Sequence, residues 1–387
     1  MQQQRNHIDL PILISVMILM VIGLAVVYSA SSTWAWERYG ESSRLLGSHA
    51  VKVLVGFLAI FVFMHVDYRV YKKISKPLLL LYAGALVVTL AFGGEMKGAV
   101  RSLSVGGFSL QPSEFARYAL IIHLAFLLSV RKEAIQDFKK GFLPLMIWVG
   151  LIAGLVLLQP NFSNGAMIVA VSLVLAFMGR VRLSHLTGTA AAMALLLSAY
   201  LFSAQYRIDR LKSFLPDAGG ETGYQLKQGI LAFGNGGIIG LGPGQSRQRD
   251  FFLPESYGDF VFSIIGEEYG LFGAVFVLLL FLVVALRGMK IAKYALDDFG
   301  RYLAAGIASC ITLYALVNAG VTLGVLPTTG LPMPFVSYGG SSMLASSIAI
   351  GILLNISSYT DLHPRLTGAP EGVRPIEPSS PVVRRVF

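Results

Sequence analysis

The sequence predicts an all-α membrane protein with about ten transmembrane helices and one long extracytoplasmic loop between helices 7 and 8. Three observations predict this. Of the 387 residues, 55% are hydrophobic and only 13% are charged, against about 25% charged in a soluble domain. Apolar runs of about 20 residues, enough to span a bilayer, recur along the chain. The basic residues between the runs are concentrated in alternate connections, as the positive-inside rule requires.

The runs read as spans at roughly 10–30, 47–66, 77–94, 111–130, 142–160, 163–179, 184–204, 259–286, 302–325 and 340–359. The first, from Leu10 to about Ser29 behind Arg5, has the charge and run of a signal peptide. It is longer than the roughly 7–15 residues of such an apolar segment, so it reads as a retained helix. The polar stretch 205–258 reads as the large loop. The tail from Asp361 is rich in Pro and Arg and reads as disordered. The expected organisation is one ten-helix unit over 1–360 and a cytoplasmic tail over 361–387.

Charge orients the spans. Arg69, Lys72, Lys73 and Lys76, then Arg131, Lys132, Lys139 and Lys140, then Arg180 and Arg182, then Arg287, Lys290, Lys293 and Arg301 fall on one side, with Arg5 and the basic tail. The short loops opposite hold Arg38, Arg44, Lys52, Lys97 and Arg101. Both termini are therefore expected in the cytoplasm, and 205–258 outside. This topology also explains the net charge of +10 better than a nucleic-acid partner does. Cys310 is the sole cysteine, so no disulfide forms within the chain, and the six histidines show no metal-ligand spacing.

An ionisable residue inside the bilayer costs about 2.5–3.5 kcal/mol on insertion scales, and four places invite a functional reading. In Gln111-Pro112-Ser113-Glu114-Phe115-Ala116-Arg117, Pro112 suits a first helical turn. Glu114 and Arg117 share a face, either as an ion pair or as the wall of a substrate cavity. Arg101 precedes them in a Gly-rich outer loop and is a candidate phosphate ligand or a plain loop arginine. Gly234-Asn235-Gly236-Gly237 and the residues after it lack the spacing and the strand–turn–helix setting of a dinucleotide loop. Gly242-Pro243-Gly244-Gln245-Ser246-Arg247-Gln248-Arg249 is a glycine-rich turn whose amides and guanidiniums can meet an anion.

Third, Asp259 follows Leu253-Pro254-Glu255-Ser256-Tyr257-Gly258 where the loop becomes span eight. Its plain role is an N-cap. Glu267 and Glu268 follow deeper in the apolar run, where at least one needs a partner or a wet cavity. Fourth, the segment 326–342 carries three prolines and several glycines, ending Ser337-Tyr338-Gly339-Gly340-Ser341-Ser342. It cannot be a regular helix. Such backbone at membrane depth is a tight turn or lines a cavity.

Together, in this order, stretches 111–117, 224–268 and 326–342 closely resemble the SEDS family (shape, elongation, division and sporulation proteins), and the ten-helix layout extends the resemblance over nearly the whole chain. Gln245-Ser246-Arg247-Gln248 with Phe252-Leu253-Pro254-Glu255, and 326–332, look more like the division (FtsW-type) branch than the elongation (RodA-type) branch. The resemblance implies polymerisation of lipid II into glycan strands at the outer face of the cytoplasmic membrane. It also implies partnership with a class B penicillin-binding transpeptidase and other division-complex membrane proteins. The family's catalytic aspartate falls on Asp259 and its essential loop arginine on Arg101. Gln111, Glu114, Arg117, Gln245, Ser246, Arg247, Gln248, Glu255, Ser337, Tyr338, Gly339, Gly340 and Ser341 are the remaining candidate substrate residues. The chain departs from the family pattern at Ser102, Arg117, Asn161 and Tyr257-Gly258.

Transfer onto a sugar hydroxyl from a polyprenyl-diphosphate donor needs one base, because diphosphate leaves without a proton, whereas a glycosidase commonly needs two carboxyl groups. Asp259 is the expected base. Arg101, Arg117 and Arg247 are candidates to neutralise the leaving group, a task that a divalent cation, magnesium or manganese, can share. A lipid II flippase and a non-catalytic division scaffold are the competing readings. Neither needs a carboxylate base.

Overall fold

The structure is a computed structural model that describes residues 7–96, 99–105, 108–202, 208, 212, 221–253, 256–360 and 362. Helix α1 (Leu10–Tyr39) starts where the Asp9 carboxylate accepts the Ile12 amide, and it runs 30 residues to a left-handed Gly40. Helices α2 (Arg44–His65) and α3 (Arg69–Phe92) follow. The outer stretch expected as a Gly-rich loop instead pairs as three short antiparallel strands, β1 (Gly94–Met96), β2 (Ala99–Val105) and β3 (Phe108–Leu110). Helix α4 (Pro112–Val130) then begins with proline in its first turn, as its sequence predicts.

A π-helical turn, Phe138–Phe142, leads into α5 (Leu143–Leu158). Next come α6 (Phe162–Met178), whose N-cap is Asn161, and α7 (Leu183–Phe202). The large loop contributes two described helices, α8 (Glu221–Gly236) and α9 (Arg247–Phe251). Helices α10 (Val261–Tyr294), α11 (Asp298–Thr322) and α12 (Gly340–Ser357) complete the chain. Among the described residues, nine helices are long and apolar enough to cross a membrane, and α6 is a shorter apolar tenth. This is a multi-pass membrane protein. The tail beyond Leu362 lies outside the described residues.

Helices α4, α11 and α12 form the interior. In their apolar windows 83%, 67% and 78% of residues are buried, against 6% in α7, which lies at the periphery. A helix with polar residues on every side survives in a bilayer only if protein surrounds it, and α4 meets that requirement. At one end of the bundle, Arg287 of α10 grips Asp9 with Nη2 at 2.6 Å, while the Asp9 amide donates to Ser357 of α12. Lys132 and Arg301 both pair with Asp298 at that end. The basic clusters assigned to one side by charge counting thus converge on one end.

Helix α10 is broken. Gly270 has φ 63° and ψ −161°, outside the helical region and open to glycine. The break removes the helical bonds from the amides of Leu271 and Phe272 to the carbonyls of Glu267 and Glu268. All four groups find partners in the loop that follows α8. Leu271 donates to Gly237 at 2.9 Å and Phe272 to Ile238 at 3.3 Å, while Leu241 and Gly242 donate to Glu267 and Glu268 at 2.9 Å each. Backbone freed at membrane depth must be satisfied by protein, and here the Gly-rich loop supplies the bonds.

Candidate active site at the mouth of helix α10

The two carboxylates beside the break are both occupied. Glu267 has no exposed surface and accepts from Ser246 Oγ, from the amides of Arg247 and Gln248 at 3.3 Å each, and from Asn235 Nδ2 at 3.4 Å. It therefore holds the start of α9. Glu268, equally buried, accepts from Ser29 Oγ of α1 and lies 3.6 Å from Arg249 Nη1. Arg249 also donates to the Ser29 carbonyl at 2.8 Å. Ser246 and Gln248 are buried by this anchoring, whereas Gln245 and Arg247 are exposed. The motif at 245–248 is fastened to the membrane helix through three consecutive residues, 246–248.

Asp259 sits one residue before Phe260, the N-cap of α10, which makes no side-chain capping bond. It is half-buried and lines a small cleft with Gln225, Phe260, Asn318, Val321, Thr328, Thr329, Gly330 and Leu331. Asn318 Nδ2 donates to the carbonyl of Asp259 at 2.9 Å and to that of Leu331 at 2.8 Å. One amide thus ties the aspartate's backbone to the Pro- and Gly-rich segment. Asn318 Oδ1 and Thr328 Oγ1 are buried without hydrogen-bond partners among the described residues. Apart from Asp259 the described lining residues are uncharged, and their amides and hydroxyls suit a sugar.

The 326–342 segment is irregular and largely buried. Phe335 holds φ 65° with 1% exposure, a strained conformation for a non-glycine residue. Ser337 Oγ accepts the Met333 amide at 2.8 Å. The Tyr338 amide donates to the Tyr257 carbonyl at 3.0 Å, binding this segment to the turn that bears Asp259. The Tyr338 hydroxyl lies 3.1 Å from Ser48 Oγ, and Lys52 Nζ lies 3.4 Å from the centre of its ring. Burial raises the Tyr338 phenol, but hydrogen bonds from Lys52 and Ser48 and the lysine charge outweigh it and leave the group below its ordinary value. Ser341 Oγ accepts the Gln111 amide at 2.9 Å and donates to the Ser109 carbonyl at 3.3 Å. The starts of α4 and α12 are thereby joined.

Glu114 and Arg117 form an ion pair at 2.8 Å, with side chains 2% and 3% exposed. The guanidinium lies 4.1 Å from the centre of the Tyr314 ring and 4.9 Å from that of Tyr118. Tyr314 donates to Asn164 at 2.7 Å, and Asn161 accepts the Asn164 amide at 3.4 Å. Arg117 lines a second pocket with Met167, Ser172 and Cys310, whose lining shares no residue with the Asp259 cleft. Its position inside the bundle, paired and boxed by rings, does not suit the expected role of neutralising a leaving group beside Asp259. Among the sequence candidates, Arg101 is on β2, and Glu255 lies outside the described residues. Lys52 and Asn318 escaped the sequence reading. Lys52 was absorbed into the topology count, and Asn318 is a single amide inside an apolar run.

The family model of FtsW, RodA and SpoVE proteins, described as cell cycle protein, matches residues 10–362. The chain belongs to the SEDS family. A relative from Trichlorobacter lovleyi, named "Probable peptidoglycan glycosyltransferase FtsW", is 40% identical over 93% of this SEDS protein and 95% of its own length. Stage V sporulation protein E of Bacillus subtilis is 38% identical over 93% of this chain and its entire length. Among solved structures, a chain of a peptidoglycan synthase complex, studied for the coordination of polymerization and crosslinking, superposes with a TM-score of 0.76 at 26% identity. That match covers 90% of this chain and 97% of the other. The similarity to FtsW-named relatives agrees with the branch to which 245–248 and 326–332 point.

Proposed function

We propose that this SEDS protein is a peptidoglycan glycosyltransferase that polymerises lipid II into glycan strands for the septal wall. The names of its relatives support the reaction class. The observation that carries the residue assignment is Asp259, half-buried, with its backbone held by Asn318 in a cleft whose other described residues are neutral and include the amides of Gln225 and Asn318 and the hydroxyls of Thr328 and Thr329. A carboxylate in such a setting can take one proton from a bound sugar.

The acceptor's 4-hydroxyl oxygen attacks the anomeric carbon of the donor. The bond from that carbon to the diphosphate oxygen breaks, its electron pair leaves with the diphosphate, and the hydroxyl proton passes to Asp259. Direct displacement converts the α-linked donor to a β-linkage. Arg101 and the exposed Arg247 remain candidates for the leaving group. A divalent cation, magnesium or manganese, is a further candidate for that task; among the described residues no three His, Cys, Asp or Glu side chains gather, and no step is assigned to a cation.

The reaction faces the outside, with both termini in the cytoplasm of the bacterial inner membrane. The basic end built on Asp9, Arg287 and Asp298 supports this orientation under the positive-inside rule. A class B penicillin-binding transpeptidase is the proposed partner, a reading supported by the kinship with a chain of a peptidoglycan synthase complex. Purified protein given lipid II, with and without that partner, tests the reading. Glycan ladders are expected from the native chain and none from Asp259→Asn of equal thermal stability. Translocation of lipid II without polymer, or polymer from Asp259→Asn, overturns it.

A further inference from the structure

We infer that Lys52, seated on the Tyr338 ring beside the N-terminus of α12, binds the diphosphate of the lipid-linked donor. The inference rests on the polymerase reading and adds a residue to it. Lysines near helix ends ordinarily extend toward lipid headgroups. Lys52 instead turns into the protein. Its stem runs beside Gly340, where an added Cβ would lie 3.5 Å from Lys52 Cε, and its ammonium is 3.4 Å from the Tyr338 ring centre. No ion pair joins Lys52 to a carboxylate among the described residues.

The surroundings are those of an anion site. Helix α12 has 18 residues, and its N-cap, Gly339, provides no side-chain cap. Its first amides and the positive end of its dipole therefore favour a bound anion. Ser342, in that first turn, is 6% exposed, and its hydroxyl has no hydrogen-bond partner among the described residues. His49, one turn before Lys52, has no exposed surface. Neither of its ring nitrogens has a partner among those residues, and its ring centre is 5.5 Å from that of Tyr338. The ammonium and the His49 ring both pack on Tyr338, the lysine stem runs beside Gly340 at the uncapped helix start, and the spare Ser342 hydroxyl stands in the same first turn; a cation and free donors at a helix start suit a phosphate oxygen.

Position links this group to the chemistry. The Tyr338 amide is bonded to the Tyr257 carbonyl, two residues before Asp259. The uncharged cleft at Asp259 suits the acceptor sugar, and the cationic group beside it suits the departing diphosphate, whose charge grows as the anomeric bond breaks. Arg117, committed to Glu114, leaves this role open.

Binding, which needs no turnover, is the test. Protein in nanodiscs is titrated with a polyprenyl diphosphate and with the matching monophosphate, with and without phosphatidylglycerol in the disc. The native chain should prefer the diphosphate. Lys52→Met should weaken diphosphate binding at least tenfold without lowering the melting temperature, and Lys52→Arg should stay within threefold of native. Native affinity in Lys52→Met overturns the inference, whether or not Asp259→Asn has lost polymerisation. Phosphatidylglycerol competing as strongly as the diphosphate also overturns it, because the site would then serve a phospholipid headgroup. If Asp259→Asn still builds glycan while Lys52→Met loses the diphosphate, the assigned base fails and the phosphate site stands.

Discussion

Gly240 meets the backbone of Glu268 with no room for a side chain. A Cβ there would lie 2.3 Å from the Glu268 carbonyl oxygen, and Gly240 itself has φ +92°. The loop carrying 245–248 can reach the broken helix only because this position is bare. Gly240→Ala should therefore destabilise the protein by about 2 kcal/mol or more, from backbone strain and displacement together. The loss should appear as a lower melting temperature in detergent. Gly234, whose added Cβ would meet nothing within 4 Å, is the control, and Gly234→Ala should leave the melting temperature close to native. Equal effects at the two positions would refute the packing argument.

Glu267 gathers four donors from the loop, so its removal should free α9 rather than simply weaken α10. Glu267→Ala leaves Ser246 and two amides without their acceptor, and each buried unsatisfied group costs about 1–3 kcal/mol. Glu267→Gln keeps an acceptor oxygen and should lose less. Hydrogen exchange should show the amides of 246–251 opening faster in Glu267→Ala than in Glu267→Gln, with α4 unaffected. Uniform protection across both variants would contradict the anchoring role.

The sequence made the span pattern legible because membrane insertion leaves a strong signal, about 20 apolar residues with basic residues on one side. It singled out Asp259 only through the family resemblance, since a carboxylate at the start of an apolar run, like Asp9 and Asp297 in this chain, reads first as a cap. The break at Gly270 was not legible. Gly270 is one of three glycines in 261–286 and reads as an ordinary helical residue, and its meaning depends on Gly237 and Gly240, some thirty positions earlier. The sheet at 94–110 was hidden in the same way, because strands this short show no alternation long enough to read. The setting of Arg117 was hidden for a different reason. Spacing shows that Glu114 and Arg117 share a face, but not that α4 lies in the interior with Tyr314 opposite.

Arg249 and Glu268 join the outer loop to α1 through Ser29. Glu268 has no exposed surface and Arg249 little, so either charge alone is expensive in this place. Arg249→Gln and Glu268→Gln should each cost more than the double variant does in excess of either, giving a coupling energy of about 1–3 kcal/mol in a double-mutant cycle of thermal or denaturant stability. Additive effects would show that the contact is incidental.

The Glu114–Arg117 pair makes the sharpest distinction between structure and substrate binding. If Arg117 held the diphosphate, Arg117→Met would abolish ligand binding whatever occupied position 114. If it neutralises Glu114 inside α4, Arg117→Met should lower stability by about 3–5 kcal/mol, because a buried carboxylate is left alone. Adding Glu114→Gln should then recover much of the loss. The buried geometry, with the guanidinium 4.1 Å from the Tyr314 ring centre, favours the second outcome. Arg117→Lys should fall between native and Arg117→Met, since it keeps the charge and loses the planar stacking. The double variant should also bind a polyprenyl diphosphate within threefold of native, a result that a leaving-group role for Arg117 forbids.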